Sequence, residues 1–232
     1  MLSSDIRGRK EEESAAPDNA SVDLPDSRER LKLRISRAAT LLFLTGGTAA
    51  TSGDRIAEET GVSTRTIWRH FRNKESCAEP IALRGLDWEL NTLRSWPPGT
   101  PLDAHIISEA ALFAPAQHDD FLQDFSLSAR LVHLTRHEPV LRIAWLMACD
   151  HAERELTAVL ADRTGLPAHT PHLRVNAAAG AAALRILHER RSADPALRAG
   201  RDTPSAHASR TAAVLARVIC PCPPKSTVRP RL

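Results

Sequence analysis

The side chains best equipped for chemistry stand between Thr64 and Lys74, in the run TRTIWRHFRNK. Hydroxyls, guanidinium groups, an indole N–H, an imidazole and an ammonium follow one another there without a single acid. Such a set suits non-covalent recognition, because donors of this kind meet the edges of bases and the oxygens of phosphates. Covalent chemistry has no comparable signature. The chain carries no GxSxG, no phosphate-binding P-loop and no HExxH, so it does not read as an enzyme. His133 and His137 stand four apart, a spacing at which two imidazoles on one helix face can share a metal ion. No Asp, Glu or Cys stands at the spacing that would complete that set, so neither a metal nor a cofactor is expected.

The donor-rich run needs elements that hold it outward. The preceding residues, DRIAEETGVS, predict a short helix, a turn and the start of a second helix. Ile56 and Ala57 are the apolar residues of the first helix. Gly61 stands where a helix commonly ends in a left-handed residue. Ser63 is a good N-cap for the second helix, and Val62 and Ile67 flank it at the spacing of a hydrophobic staple. With Val62, Ile67 and Phe71 inward, Thr64, Arg65, Thr66, Trp68, Arg69 and His70 are left outward or flanking. A short helix with that surface suits the major groove of double-stranded DNA.

The segment from Arg28 to Glu75 resembles the DNA-binding domain of the TetR family of bacterial transcriptional regulators. The resemblance is carried by Ala38-Ala39, Leu42-Phe43, Gly47, Ala50-Thr51, Ile56-Ala57, Gly61-Val62-Ser63, Thr66-Ile67, Arg69-His70-Phe71 and Lys74-Glu75, in order and spacing. Three positions depart from the family pattern. Thr48 replaces an aromatic or apolar residue, Gly53 replaces a packed apolar one, and Trp68 replaces the usual Tyr. The second of these predicts a frayed second helix. The DNA-contacting set is expected to be Thr51, Ser63, Thr64, Arg65, Thr66, Trp68, Arg69, His70 and Lys74. Thr64, Arg65 and Thr66 are placed for base edges, and Trp68, His70, Lys74 and Thr51 for phosphates.

Composition agrees without deciding. The chain has 232 residues, 42% hydrophobic and 4% aromatic with no Tyr, so its core must be aliphatic. A net charge of +3 permits nucleic acid but does not argue for it alone. Four scattered Cys do not read as a disulfide framework. Nothing resembles a signal peptide or a membrane span, so the expected location is the cytoplasm, at the nucleoid.

Apolar spacing is helical throughout, and the fold expected is all-α. Residues 1–26 read as a disordered arm, with Arg7, Arg9 and Lys10 as a candidate minor-groove contact. Residues 27–76 read as the helix-turn-helix domain, 77–220 as a helical ligand-binding and dimerisation body, and 221–232 as a disordered tail. A fourth helix begins at Asn73, is kinked or broken at Pro80, and continues to Leu93. Further helices are expected from Thr100 to Ala116, Asp120 to Arg136, Glu138 to Arg163, Thr170 to Arg190 and Ser205 to Val218.

Two constellations belong to the body. Trp88, Phe113, Phe121, Phe125 and Trp145 could wall a pocket for a small molecule, with Arg130, His133, Cys149 and Asp150 as polar points. The alternative is that they are simply core. The small-residue run Asn176–Leu184 allows close helix approach. With the resemblance, it predicts a homodimer seam of Ala177, Gly180, Ala181, Leu184, Leu187, Val214, Leu215 and Val218. What the resemblance implies is a homodimeric repressor released from a near-palindromic operator by a small molecule. The alternatives are an activator or nucleoid-associated protein, a body that binds a protein partner, and an enzyme with an accessory helix-turn-helix.

Overall fold

In the computed structural model, residues 24–113, 119–194 and 204–219 are described. The expected arm is therefore outside them except for its last residues, and the expected tail lies wholly outside. Among the described residues, ten α-helices and one 3₁₀ turn account for the regular structure, and no strand occurs.

The head begins with α1 (Leu24–Gly46), whose Ile35, Ala39 and Phe43 are buried at a helical repeat. It packs on α2 (Gly53–Thr60), which is followed by α3 (Thr64–His70). The turn between α2 and α3 arises from local chemistry. Ser52 caps α2, accepting from the Arg55 N–H at 3.1 Å. Gly61 closes it in the left-handed region (φ 66°, ψ 29°), and the Val62 N–H reaches back to the Ala57 carbonyl at 3.1 Å. A Cβ at that φ would be strained, which is why glycine is favoured there. Ser63 then caps α3, accepting from the Thr66 N–H at 3.1 Å. Ile56 and Ile67 are fully buried between these helices. Each contributes about 1.5–3 kcal/mol by leaving water.

The fourth helix is not one rod. Asn73 does cap its start, Oδ1 accepting from the Ser76 N–H at 2.9 Å. A 3₁₀ turn (Glu75–Ala78) comes next, then α4 (Glu79–Arg84), then α5 (Asp87–Arg94). Pro80 stands in the first turn of α4, where its missing N–H costs nothing. The second interruption falls at Gly85–Leu86, where the chain makes a close approach. A Cβ on Gly85 would stand 2.1 Å from the Ser128 hydroxyl of the helix it faces. The expected kink at Pro80 is thus a helix start, and the break falls one turn further on.

The body continues with α6 (Leu102–Leu112), α7 (Asp119–Leu134), α8 (Pro139–Thr164), α9 (Pro171–Ser192) and α10 (Pro204–Ile219). Pro101 sits at the N-cap of α6 in extended conformation, one residue later than expected. The helix stops at Leu112 with Phe113 extended as its C-cap, short of the expected end near Ala116. α8 packs on α9, and α10 packs on both α9 and α6. Apolar burial is continuous from Ile35 in α1 to Ile219 in α10.

The small-residue face of α9 is consumed inside the chain. Ala177, Gly180, Ala181 and Leu184 are buried, as is Leu215 of α10. A Cβ on Gly180 would meet Ile219 Cδ1 at 3.0 Å and Leu156 Cδ1 at 3.2 Å. This face seats α10 and α8 of the same chain, which corrects its expected role as a seam between subunits. Leu187, Val214 and Val218 are half-buried.

Candidate nucleic-acid interface and the polar groups of the body

The α2–α3 turn presents α3 as expected, but the side chains divide differently. Arg65, Trp68 and Arg69 are exposed. Thr64 donates its hydroxyl to Asp54 Oδ1 at 2.7 Å, and the Ser63 and Thr66 hydroxyls lie 2.9 Å apart. These three polar side chains fix the start of α3, and Arg65 and Arg69 are the cations it offers outward.

Two expected phosphate contacts are corrected. Thr51 is buried and donates its hydroxyl to the Gly47 carbonyl at 3.0 Å, so it locks the α1–α2 turn. Lys74 is half-buried and directs its ammonium to the carbonyls of Thr48 (2.7 Å) and Thr51 (2.9 Å). Its charge is spent on that same turn. His70 is half-buried, and burial, assisted by the Arg69 charge, lowers its pKa from 6.5.

Two of the departures from the family pattern explain each other. A Cβ on Gly53 would stand 2.1 Å from the Trp68 ring. The indole lies over the first residue of α2, so the larger aromatic on α3 is matched by the absent side chain on α2. Helix α2 is not frayed: it spans Gly53–Thr60 with its Ser52 cap in place. The indole remains 44% exposed.

One ion cluster joins head to body. Asp124 of α7, 2% exposed, accepts from Arg37 of α1 in a two-pronged pair (Nε to Oδ1 2.6 Å, Nη2 to Oδ2 2.9 Å). Arg84 of α4 donates to the same carboxylate at 3.2 Å and to Asp87 at 2.7 Å. The Asp124 hydrogen bond, and then its charge, raise the Arg37 pKa against burial.

Only part of the expected pocket set is brought together. Phe113, Phe121 and Phe125 form a run of ring contacts at 5.8 and 5.6 Å, and His188 lies 6.4 Å from Phe125 and 6.1 Å from Trp145. Trp88 and Cys149 are buried, and burial pushes the Cys149 thiol up to about 12. Arg130 and His133 are half-buried, with the His133 ring 6.0 Å from that of His137. The run converges on His188, a residue that no sequence motif marks. It meets Glu89 of α5 and His207 of α10 in a buried group whose ligand atoms lie within 4.8 Å of one another. The signal for it was a polar residue on an apolar stripe. Glu89 stands between Trp88 and Leu90, His188 continues Leu184, and His207 precedes Thr211 and Leu215 by one and two turns.

The head geometry defines a helix-turn-helix DNA-binding protein of all-α architecture. Residues 35–81 match the family described as "Bacterial regulatory proteins, tetR family". The head, over those residues, is therefore that of the TetR family of bacterial transcriptional regulators. No curated protein matches the chain. Among solved structures, a TetR-family regulator from a Rhodococcus species is 16% identical with a TM-score of 0.49, covering 83% of this chain and 99% of that one. GusR of Salmonella enterica is 19% identical at 0.47, covering 82% and 95%. FadR of Thermus thermophilus, solved in complex with lauroyl-CoA, is 18% identical at 0.46, covering 84% and 98%. The family assignment rests on the head.

Proposed function

We propose that this protein is a ligand-responsive, homodimeric transcriptional repressor that leaves a near-palindromic operator when a small molecule enters the body. The observation that carries the reading is the turn at Gly61–Ser63 with Arg65 and Arg69 exposed on α3. We keep residues 27–76 as the head and 77–220 as the body. Arg65 is assigned to base edges in the major groove and Arg69 to phosphate or base. Trp68 flanks them, and Ser63, Thr64 and Thr66 set the start of the helix.

Two heads are needed to span successive grooves. The small-residue face being internal, the subunit interface is assigned to exposed apolar side chains of the packed pair α8 and α9: Ile143 and Leu146 on one, Val175 and Ile186 on the other. Release requires that the effector bind the non-operator geometry better than the operator geometry. A tenfold effect takes about 1.4 kcal/mol of that difference. The Arg37–Asp124–Arg84 cluster is the route by which a shift of α7 reaches α1.

The test is binding of the purified chain to the DNA flanking its own gene, with competitor DNA and with candidate metabolites added. The expected outcome is a retarded complex of two chains per site. Arg65→Ala weakens it by about 1–3 kcal/mol and relaxes preference at one position per half-site. Equal affinity for flanking and unrelated DNA would overturn the repressor reading. A monomer in solution that binds one half-site would overturn the assembly.

A further inference from the structure

A carboxylate and two imidazoles meet in the body with much of their bonding capacity unused. Glu89 and His207 are each 1% exposed, and His188 is buried beside them. His188 Nε2 lies 2.9 Å from Glu89 Oε1, and His207 Nε2 lies 3.5 Å from the same oxygen. The two imidazole rings are 5.0 Å apart. A simple His188–Glu89 pair accounts for one oxygen and one nitrogen. Among the described residues, it leaves Glu89 Oε2 and both nitrogens of His207 buried without a hydrogen-bond partner. The Thr211 hydroxyl, one turn beyond His207 on α10, is in the same condition. Buried polar atoms are normally satisfied, and each orphan destabilises the fold.

We propose that Glu89, His188 and His207 form a binding site for a divalent transition-metal ion of the zinc or cobalt class. Metal bonds to imidazole nitrogen and carboxylate oxygen run about 2.0–2.2 Å, and tetrahedral arrangement of such bonds sets ligand atoms roughly 3.3–3.5 Å apart. The two observed separations of 2.9 and 3.5 Å bracket that edge. Imidazole and carboxylate donors together suit this class of ion better than Ca²⁺ or Mg²⁺, which take oxygen ligands.

The donor set is one carboxylate and two imidazoles, all buried and brought from three separate helices. The opposing group is Arg191, one turn beyond His188, whose guanidinium lies 3.4 Å over the Phe125 ring. Its charge disfavours a cation, and the Glu89 carboxylate has to offset it.

Three protein ligands leave a fourth position open on the ion. An ion there ties α5, α9 and α10 together. The proposal stands independently of the operator reading, because metal uptake is measured without DNA.

The experiment uses the full chain, stripped with a chelator and titrated with Co²⁺ while visible absorption and thermal stability are followed. One Co²⁺ per chain with the intense bands of a tetrahedral site is expected, together with a rise in Tm. Glu89→Gln and His207→Gln should each weaken uptake at least a hundredfold. His133→Ala with His137→Ala, and Cys220→Ser with Cys222→Ser, should leave it unchanged. X-ray absorption at the zinc edge of the wild-type chain needs no variant, and should show two imidazoles and light atoms only. No stoichiometric uptake, sulfur among the ligands, or undiminished uptake by folded Glu89→Gln would overturn the site.

Discussion

Replacing Asp124 by Asn keeps the volume of the side chain and removes the charge on which Arg37 and Arg84 converge. Asp124 accepts three charge-assisted hydrogen bonds, at 2.6, 2.9 and 3.2 Å. Such bonds contribute about 1.5–3 kcal/mol each, and breaking a buried pair can cost about 3–5 kcal/mol. Both figures overstate this case. The Arg37 and Arg84 side chains are 39% and 32% exposed, so they regain water, and Arg84 keeps Asp87. The expected cost is about 2–4 kcal/mol after that discount. For a chain of this size it corresponds to a fall in Tm of about 5–15 °C. Urea denaturation followed by circular dichroism measures it, with an unaltered slope as the check that the same state unfolds. Arg37→Gln combined with Asp124→Asn should cost less than the two single changes summed, because the charges share one interaction. A loss below about 1 kcal/mol, or strict additivity, would refute the view that this cluster fastens α1 to α7.

Three other perturbations probe the head and the buried imidazoles. Gly53→Ala places a Cβ 2.1 Å from the Trp68 ring, so the indole must swing away. We expect about 1–3 kcal/mol of destabilisation against a helix-propensity gain of up to about 1, and Gly53→Ala with Trp68→Phe should recover most of it in the same denaturation assay. Lys74→Ala strips the ammonium from the carbonyls of Thr48 and Thr51. It should lower stability by roughly 1–3 kcal/mol while leaving the salt dependence of DNA binding nearly unaltered. A reduced salt slope with intact stability would return Lys74 to the phosphates. In the metal-free chain, His207 is held at about 3 in the fold against an ordinary value of 6.5, so below pH 6.5 the unfolded chain binds a proton the folded one does not. Stability should fall on acidification from pH 6.5, by up to about 1.4 kcal/mol per pH unit. Glu89, held down at about 2, adds to the loss only once the pH falls below its ordinary value of 4.5. His207→Gln should flatten the slope between about pH 6.5 and 5 in pH-dependent melting, and an unchanged slope would assign the proton elsewhere.

The helix-turn-helix was legible because its signals are local. A glycine in the left-handed region, a serine cap and a staple act over four or five residues, so Gly61, Val62, Ser63 and Ile67 define their turn with little help from the rest of the chain. The helical periods of the body were legible for the same reason, since a stripe of apolar residues needs only its own helix to be recognised. What each stripe faces is a different matter. The small face at Ala177–Leu184 reads identically whether the approaching helix comes from the same chain or another. Only packing decides that Ile219 and Leu156 fill it. Lys74 and Thr51 look like free phosphate ligands until the α1–α2 turn brings carbonyls to one and burial to the other. Asp124 with Arg37, and Glu89 with His188 and His207, are separated by 87, 99 and more residues. No spacing rule spans such distances. Charges and orphaned nitrogens so far apart acquire partners only when the helices that carry them close on a common core.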